Sequence, residues 1–358
     1  MHCAAQQDFS FEWFEGGINV EKVRLGLVGS GLFGESHLQA LRGLRTAEFV
    51  AVYDTDLDRA RQMARDFEIP HVASSLEEIC GLADVDAIDV VTPEHTHFEP
   101  VMQALQEGKH VFVEKPLALS LDECRKMIAA ADSGKRILMV GHVLRFETKY
   151  RMLRDEIASG RVGKIVSMHA KRNRPKNLLP RYGRTHPVLE NCIHDIDLML
   201  WYTQALVTRV RGYGRSATGG VHHDTFWGFL EFANGAIGVV ETIWLIPPSA
   251  GVMLDDALHV IGDRGVANLR LIPAGLELWR EDGPVIPDVG YDPRVAGSAR
   301  GALREELAYF CECVLENRFP RVVTALEAMI AVQVALALVE SARLDREIEL
   351  PALAGRDA

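Results

Sequence analysis

From Val23 to Val140, short β-branched runs alternate with longer stretches whose apolar positions recur every three or four residues. This is the pattern of a parallel sheet covered by helices. It predicts strands at Val23–Val28, Phe49–Tyr53, Ala87–Val91, His110–Val113 and Ile137–Val140. Between them Leu38, Leu41 and Leu44, and farther on Val101 and Leu105, keep helical spacing, so the crossovers are expected to be helices. After Gly141 the rhythm changes. It predicts a helix over Glu147–Ser159, a strand over Lys164–Lys171, a long basic loop and a helix from Leu189 to Tyr202. Adjacent strands follow, with hairpin turns at Asn234-Gly235 and Asp263-Arg264-Gly265, and they are expected to form an antiparallel sheet. Helices over Ala302–Glu316 and Thr324–Arg343 close the chain, and there is no internal repeat or low-complexity linker.

A length of 358 residues fits two domains. The rhythm places them at 22–143 and 144–358, with the boundary near Gly141–Phe146. A hydrophobic share of 48% and a charged share of 25% exclude a wholly disordered or collagen-like chain. The net charge of −11 leaves no basic excess to neutralise a phosphate backbone, so nucleic acid is not an expected partner. The longest apolar run, Ala328 to Val339, is interrupted by Gln333 and falls short of the roughly 20 residues of a membrane helix, so no membrane partner is expected. Residues Met1 to Lys22 carry Asp8, Glu12 and Glu15 and lack the basic and apolar regions of a signal peptide, so they read as a frayed leader. The six cysteines are scattered without a CxxC pair, which fits a reducing cytoplasm better than a disulfide framework.

The first strand runs into Gly29-Ser30-Gly31-Leu32-Phe33-Gly34, a GxGxxG that opens the next helix. The first glycine permits the tight turn, the second lets backbone approach a pyrophosphate, and the third lets helix and strand pack closely. Asp54 ends the second strand 20 positions after Gly34, where a carboxylate would hold the ribose hydroxyls of the adenosine. The architecture is therefore α/β, an N-terminal Rossmann dinucleotide-binding domain followed by an α+β domain with a mainly antiparallel open sheet. Asp54 is followed by Thr55-Asp56 and no arginine, so a 2′-phosphate would meet carboxylates, and NAD is favoured over NADP.

Thr92-Pro93-Glu94-His95-Thr96-His97 and Gly108-Lys109-His110-Val111-Phe112-Val113-Glu114-Lys115-Pro116-Leu117 resemble the TPxxxH and GKHVxxEKPLA stretches of the Gfo/Idh/MocA oxidoreductases, which include glucose-fructose oxidoreductase and inositol dehydrogenases. The likeness extends to an arginine after the last Rossmann strand, in Gly141-His142-Val143-Leu144-Arg145-Phe146, and to the closing helices. The resemblance implies that Lys115 is the catalytic lysine, that Thr92, Pro93, His97 and Glu114 line the nicotinamide end with it, and that a cis peptide precedes Pro116. Independently, Lys115 lies just past the C-terminal end of a parallel strand, where open α/β sheets bind ligands. A lysine there serves as acid or base when its pKa is brought toward neutrality, which a nicotinamide cation and partial desolvation would do.

Glu190, His194 and Asp197 are spaced i, i+4 and i+7, on one face of an α-helix whose other positions are largely apolar. A polar stripe on a buried helix needs partners or a ligand. The stretch resembles the family's D-x-x-x-H-x-x-D, whose histidine shares proton transfer with the lysine, and Ile193-His194-Asp195-Ile196-Asp197 is most similar to inositol-dehydrogenase-type members. Glu190 stands where those members carry aspartate, and its longer arm either orients substrate hydroxyls or marks a different substrate. Cys192 and Asp195 point away from His194 on a helix, so no metal is expected, and Cys192 reads as a packed thiol. The candidate catalytic residues are thus Lys115, His194 and Glu190, and the candidate substrate-binding residues are Lys115, Arg145, Arg174, Glu190, Asn191 and His194. The cofactor is expected to meet Gly29, Ser30, Gly31, Leu32, Phe33, Gly34, Asp54, Thr92, Pro93, His97, Glu114 and Lys115. The loop Lys171–Arg184 is basic and has no acid, so it is either a solvated face or presents Arg172, Arg174 or Arg181 to an anionic substrate group. His222-His223-Asp224 is expected to begin a strand without chemistry of its own.

The activity these features imply is an NAD-dependent dehydrogenase acting on a secondary alcohol or ketone of a sugar, polyol or cyclitol. The alternatives are an NAD-using glycosidase of the same family and a non-catalytic NAD-binding regulator. The family likeness also implies a homodimer or homotetramer, closed through the open face of the second sheet.

Overall fold

The computed structural model describes residues 22–271, 278–280, 283–285, 289–295 and 298–351; the expected leader and Cys3 lie outside them. The first half is a six-stranded sheet of β1 (Val23–Val28), β2 (Ala47–Tyr53), β3 (His71–Val72), β4 (Ala87–Val90), β5 (His110–Glu114) and β6 (Leu138–Gly141). Every pairing in it is parallel and the order is β3-β2-β1-β4-β5-β6. β4 and β6 are buried at every position, which is why they read as continuous apolar runs without alternation. The crossovers are α1 (Leu32–Leu41), α2 (Leu57–Phe67), α3 (Leu76–Gly81), α4 (Phe98–Gln106) and α5 (Leu121–Gly134). Their starts follow capping chemistry: Asp56, Ser75 and Ser120 each accept a backbone N–H three residues on. The order reverses between β1 and β4, and that switch point is where a doubly wound sheet opens a ligand crevice.

Beyond Gly141 a helical turn (Val143–Phe146) and α6 (Thr148–Ala158) lead to β7 (Ile165–Asn173), the short α7 (Leu179–Tyr182) and α8 (Ile193–Thr203). Strands β8 (Val207–Arg215), β9 (Thr225–Phe232), β10 (Ile237–Ile243), β11 (Asp255–Gly262) and β12 (Val266–Arg270) complete a second sheet, edged by a terminal strand at Ile348–Glu349. Both expected hairpins form, β9–β10 and β11–β12. The sheet is mixed rather than purely antiparallel, because β10 lies parallel to β7. Hairpin signals identify sequential neighbours only, and these two strands are brought together by the excursion through α8, β8 and β9. The strand expected at His222 begins at Thr225.

α9 (Ala302–Leu315) and α10 (Ala325–Leu344) close the core, the latter started by a reciprocal cap in which Thr324 accepts from the Glu327 N–H and Glu327 accepts from the Thr324 N–H. At 20 residues α10 exceeds the run read from the sequence and is long and apolar enough to cross a membrane. Here its Ala328, Val332, Ala335 and Leu338 are buried in the main core, against β8 and α8.

Candidate active site

The carboxyl ends of β1, β4 and β5 open into a cleft of about 1760 Å³ that runs from the glycine loop and Asp54, past Thr92, Pro93, Glu114 and Lys115, to Glu190, Asn191, His194 and Trp244. The loop is built as its sequence requires. Gly29 has φ +108°, and a Cβ there would stand 2.7 Å from the Val91 carbonyl oxygen; a Cβ on Gly34 would stand 2.2 Å from that of Gly29. A Cβ on Gly31 would meet nothing within 4 Å, so this glycine keeps space clear on the cleft side, at the N-terminus of α1. Leu32 and Phe33 stand exposed beside it. The Thr92 hydroxyl is buried without a hydrogen-bond partner. An open cradle at a helix start and an orphaned hydroxyl close to the glycine loop fit a dinucleotide.

Asp54 is more committed than its position suggested. One oxygen accepts from the Ser30 N–H at 2.7 Å and the Ser30 hydroxyl at 2.9 Å; the other accepts from the Asp56 N–H at 2.9 Å and from Arg59 at 2.6 Å. Burial would raise its pKa, but these bonds, Arg59 first, hold it below the usual carboxylate range. Ser30 therefore braces Asp54 with both its polar groups. Arg59 corrects the expectation that a 2′-phosphate would find no cation, because the first turn of α2 folds it back onto Asp54 where adjacency in sequence could not show it. A carboxylate and an arginine compete at this position. Asp54→Ala is expected to weaken NAD by roughly 10-fold or more, the loss of a charge-assisted hydrogen bond, and to spare NADP. Arg59→Ala is expected to weaken NADP selectively. Calorimetric titration of both dinucleotides checks this, and a wild-type preference for NADP would contradict the role given to Asp54.

At the other end Lys115 Nζ donates to the Glu190 carbonyl oxygen at 2.9 Å and lies 3.4 Å from Glu190 Oε1. The Lys115–Pro116 peptide is cis. His97, one of the expected cofactor contacts, has its ring nitrogens on two carbonyls, Pro116 at 2.8 Å and Thr92 at 3.1 Å. Burial lowers its pKa, so the neutral ring donates once, best over the shorter contact. It ties the two loops together and turns no free polar atom toward a ligand.

Glu190 reaches the cleft from a single turn of π-helix, Val188–Cys192, and His194 from the first turn of α8, which follows it directly. Glu190 and His194 line the cleft together across this turn, and the stripe expected on a regular helix ends there, because the buried Arg145 claims the Asp197 carboxylate. Asp197 turns away from the cleft to Arg145, and Asp195 to Arg172. Burial, followed by the neighbouring charges of Lys115 and Arg172, pushes His194 well below the ordinary histidine pKa, so it is a neutral imidazole with Nδ1 unpartnered. Burial raises Glu190 above the usual carboxylate range against the pull of Lys115.

Arg145, expected to bind substrate, is not in the cleft. It is 1% exposed, forms a bidentate pair with Asp197 at 2.6 and 2.9 Å, and bonds the Val322 carbonyl and Glu327. A fully buried guanidinium needs partners for its donors, and here each of its three nitrogens has at least one. Arg174 lines the cleft but is paired to Asp256, which also pairs Arg172, itself bidentate on Asp195. Asn191 donates to Thr242 and the Arg172 carbonyl. Arg181, exposed on α7, has no ion pair among the described residues. The basic loop is thus largely neutralised by acids from α8 and β11 that sequence distance concealed.

The sequence pattern also passed over Tyr182 and Trp244, an aromatic pair 6.1 Å apart that walls the cleft. His142 was overlooked as well: it is 1% exposed, both its ring nitrogens are unpartnered, and it lies 3.6 Å from Asp197. Its place directly after β6 was the signal, by the same rule that singled out Lys115. Among the described residues no group of His, Cys, Asp and Glu is arranged to hold a metal. Cys192 is buried and burial pushes its thiol up.

Residues 23–142 match the oxidoreductase family described as an NAD-binding Rossmann fold, and residues 150–268 match the GFO/IDH/MocA C-terminal domain. The chain is 34% identical over 181 residues to inositol 2-dehydrogenase 3 of Saccharopolyspora erythraea, spanning 50% of this chain and 53% of that protein. It is 32% identical over 253 residues to inositol 2-dehydrogenase of Acidothermus cellulolyticus, spanning 69% and 72%. A crystal structure of scyllo-inositol dehydrogenase from Lactobacillus casei with bound NAD(H) and scyllo-inositol superposes with a TM-score of 0.78 at 20% identity, over 92% of this chain and 99% of that one.

Proposed function

This chain belongs to the Gfo/Idh/MocA oxidoreductase family, and we propose that within it the protein is an NAD-dependent dehydrogenase that oxidises a secondary alcohol of a neutral polyol or cyclitol. The observation that carries this is the meeting of Lys115 with Glu190 and His194 at the far end of a cleft that begins at the glycine loop. Bound NAD supplies the hydride acceptor. Lys115 and His194 take the hydroxyl proton between them, His194 lining the cleft as a neutral imidazole able to accept one. Glu190 holds Lys115 and a neighbouring hydroxyl. The Tyr182 and Trp244 rings offer flat apolar surface to the C–H face of a ring, while Arg174 and Asn191 remain on the lining as positioning groups. Residues 22–143 serve as the cofactor unit and 144–358 as the unit of substrate binding and assembly.

Charge balance favours a neutral substrate. Arg172 and Arg174 are matched by Asp195 and Asp256, which leaves Arg181 as the one arginine of the basic loop to greet an anion without breaking a pair. Neutral cyclitols are therefore expected to exceed the corresponding acids by roughly 10-fold or more in kcat/KM, one charge-assisted contact in size. NADH formation at 340 nm with inositols, aldoses, sugar acids and UDP-sugars tests this. Preference for an acid, lost in Arg181→Ala, would reverse it. A glycosidase using transient oxidation would turn over without accumulating NADH, and a regulator has no need of Lys115 and His194.

The working protein is a cytoplasmic homo-oligomer, a dimer or tetramer. Its five described cysteines are free and buried. The face of the second sheet away from α8 and α10 exposes Tyr213, Phe229 and Ile237, a surface suited to a second copy of the chain.

A further inference from the structure

Beneath the cleft at Glu114, α1, β4, β5 and α9 bring together His37, Asp89, Glu114 and Glu306, all 7% exposed or less. The His37 ring is boxed by Phe33 at 5.2 Å and Phe112 at 5.7 Å. Its Nδ1 lies 2.9 Å from Asp89 Oδ2, and its Nε2 lies 3.3 Å from Glu114 Oε1. The second contact is longer and short of full hydrogen-bond alignment, and the ring nitrogen acts on the carboxylate both as the nearby N–H donor and through its charge. Burial opposes a charged ring, but Asp89 and then Glu114 outweigh it and raise His37 to about 10. Burial and the nearby Glu114 push Glu306 well above the usual carboxylate range, and both its oxygens lack a hydrogen-bond partner.

Glu114 is held on three sides. Its other oxygen accepts from the Lys115 N–H at 3.1 Å. A Cβ on Gly141 would stand 2.6 Å from Oε1, so β6 leaves the gap that the carboxylate fills. Asp89 alone would satisfy a histidine whose purpose was to pack α1 on the sheet. The second arm instead reaches the carboxylate that grips the backbone of the cleft lysine.

We propose that His37 is a positioning residue of this active site: through Glu114 it fixes the peptide of Lys115, and with it the reach of the ammonium group into the cleft. This rests on the role given to Lys115 above. His37 touches neither substrate nor cofactor in the arrangement described, so its effect falls on turnover and not on cofactor affinity.

Two isosteres separate its arms. His37→Asn keeps a donor near the Nδ1 position, against Asp89, and loses the arm to Glu114. His37→Gln extends a donor to the Nε2 position, against Glu114, and loses Asp89. His37→Asn is expected to lose kcat by roughly 10- to 100-fold, the scale of a small misplacement of a catalytic group, while His37→Gln stays within about fivefold of wild type. Calorimetric Kd for NAD and the KM for substrate are expected to stay within about threefold in both. Thermal midpoints are measured alongside, because a purely structural role predicts that kcat follows stability. An Asn variant as active as the Gln variant would overturn the proposal. Should only the Gln variant fold, a kcat loss beyond about tenfold in it would do the same. Wild-type turnover, measured in the same series, keeps this outcome apart from failure of the dehydrogenase reading, in which no variant and no wild type would reduce NAD.

Discussion

Lys115→Ala is expected to lower kcat by roughly 10²–10⁴-fold, the usual share of a positioned acid or base, and to leave NAD affinity nearly intact. The ammonium sits at the carboxyl end of β5, held by the Glu190 carbonyl oxygen at 2.9 Å, with the dinucleotide cradle at the opposite end of the cleft. Its loss removes the group whose neutral amine form would take the hydroxyl proton, without touching the glycine loop or Asp54. His194→Ala has the same character. His194 is neutral and unpartnered at Nδ1, and Lys115 is among the charges that hold it so. The two groups are electrostatically linked, and the double variant is expected to be much less than additive, as for residues that act as one unit. Steady-state kcat for both singles and the double, with NAD binding by fluorescence quenching, checks the pair. Full additivity would separate His194 from the chemistry, and near-normal kcat in Lys115→Ala would remove the proposed mechanism.

Arg145→Met is expected to cost about 3–5 kcal/mol of stability, the range for breaking a buried pair by removing one partner. Arg145 ties the turn after β6 to Asp197 on α8 and to Glu327 at the start of α10, so three segments lose their shared cation at once. The methionine fills much of the volume but leaves the Asp197 carboxylate buried and unpaired. Replacing both partners, Arg145→Met with Asp197→Leu, is expected to recover a large part of the loss, because burying neither charge avoids the desolvation that the single variant exposes. Urea titrations of the three variants measure this. A single variant as stable as wild type would return Arg145 to the substrate-binding role that the family likeness suggested.

What was legible in the chain follows from which interactions are local. The glycine loop, the strand ends and the place of Lys115 depend on residues near one another in sequence, and the parallel sheet with its switch point follows from them. Glu190 and His194 follow from helical spacing, yet Asp197 does not join them in the cleft because Arg145, 52 residues earlier, takes its carboxylate, and the π-turn before α8 is likewise invisible to a periodicity that assumes 3.6 residues per turn. Arg145, Arg172 and Arg174 look like ligand-seeking cations until the fold delivers acids from 52, 23 and 82 residues away. Arg59 reaches Asp54 only because α2 starts between them. The parallel pairing of β7 with β10 is equally invisible to hairpin rules.

The most direct measurement follows a hydride. A neutral cyclitol or polyol deuterated at its carbinol carbons is turned over with NAD by the wild-type protein, and the cofactor product is weighed by mass spectrometry. Transfer to the nicotinamide predicts NADH that accumulates with turnover and carries one deuterium, with a slowed hydride step visible as a primary isotope effect. Turnover with no accumulated label in NADH, or product that regains its deuterium, would contradict a dehydrogenase.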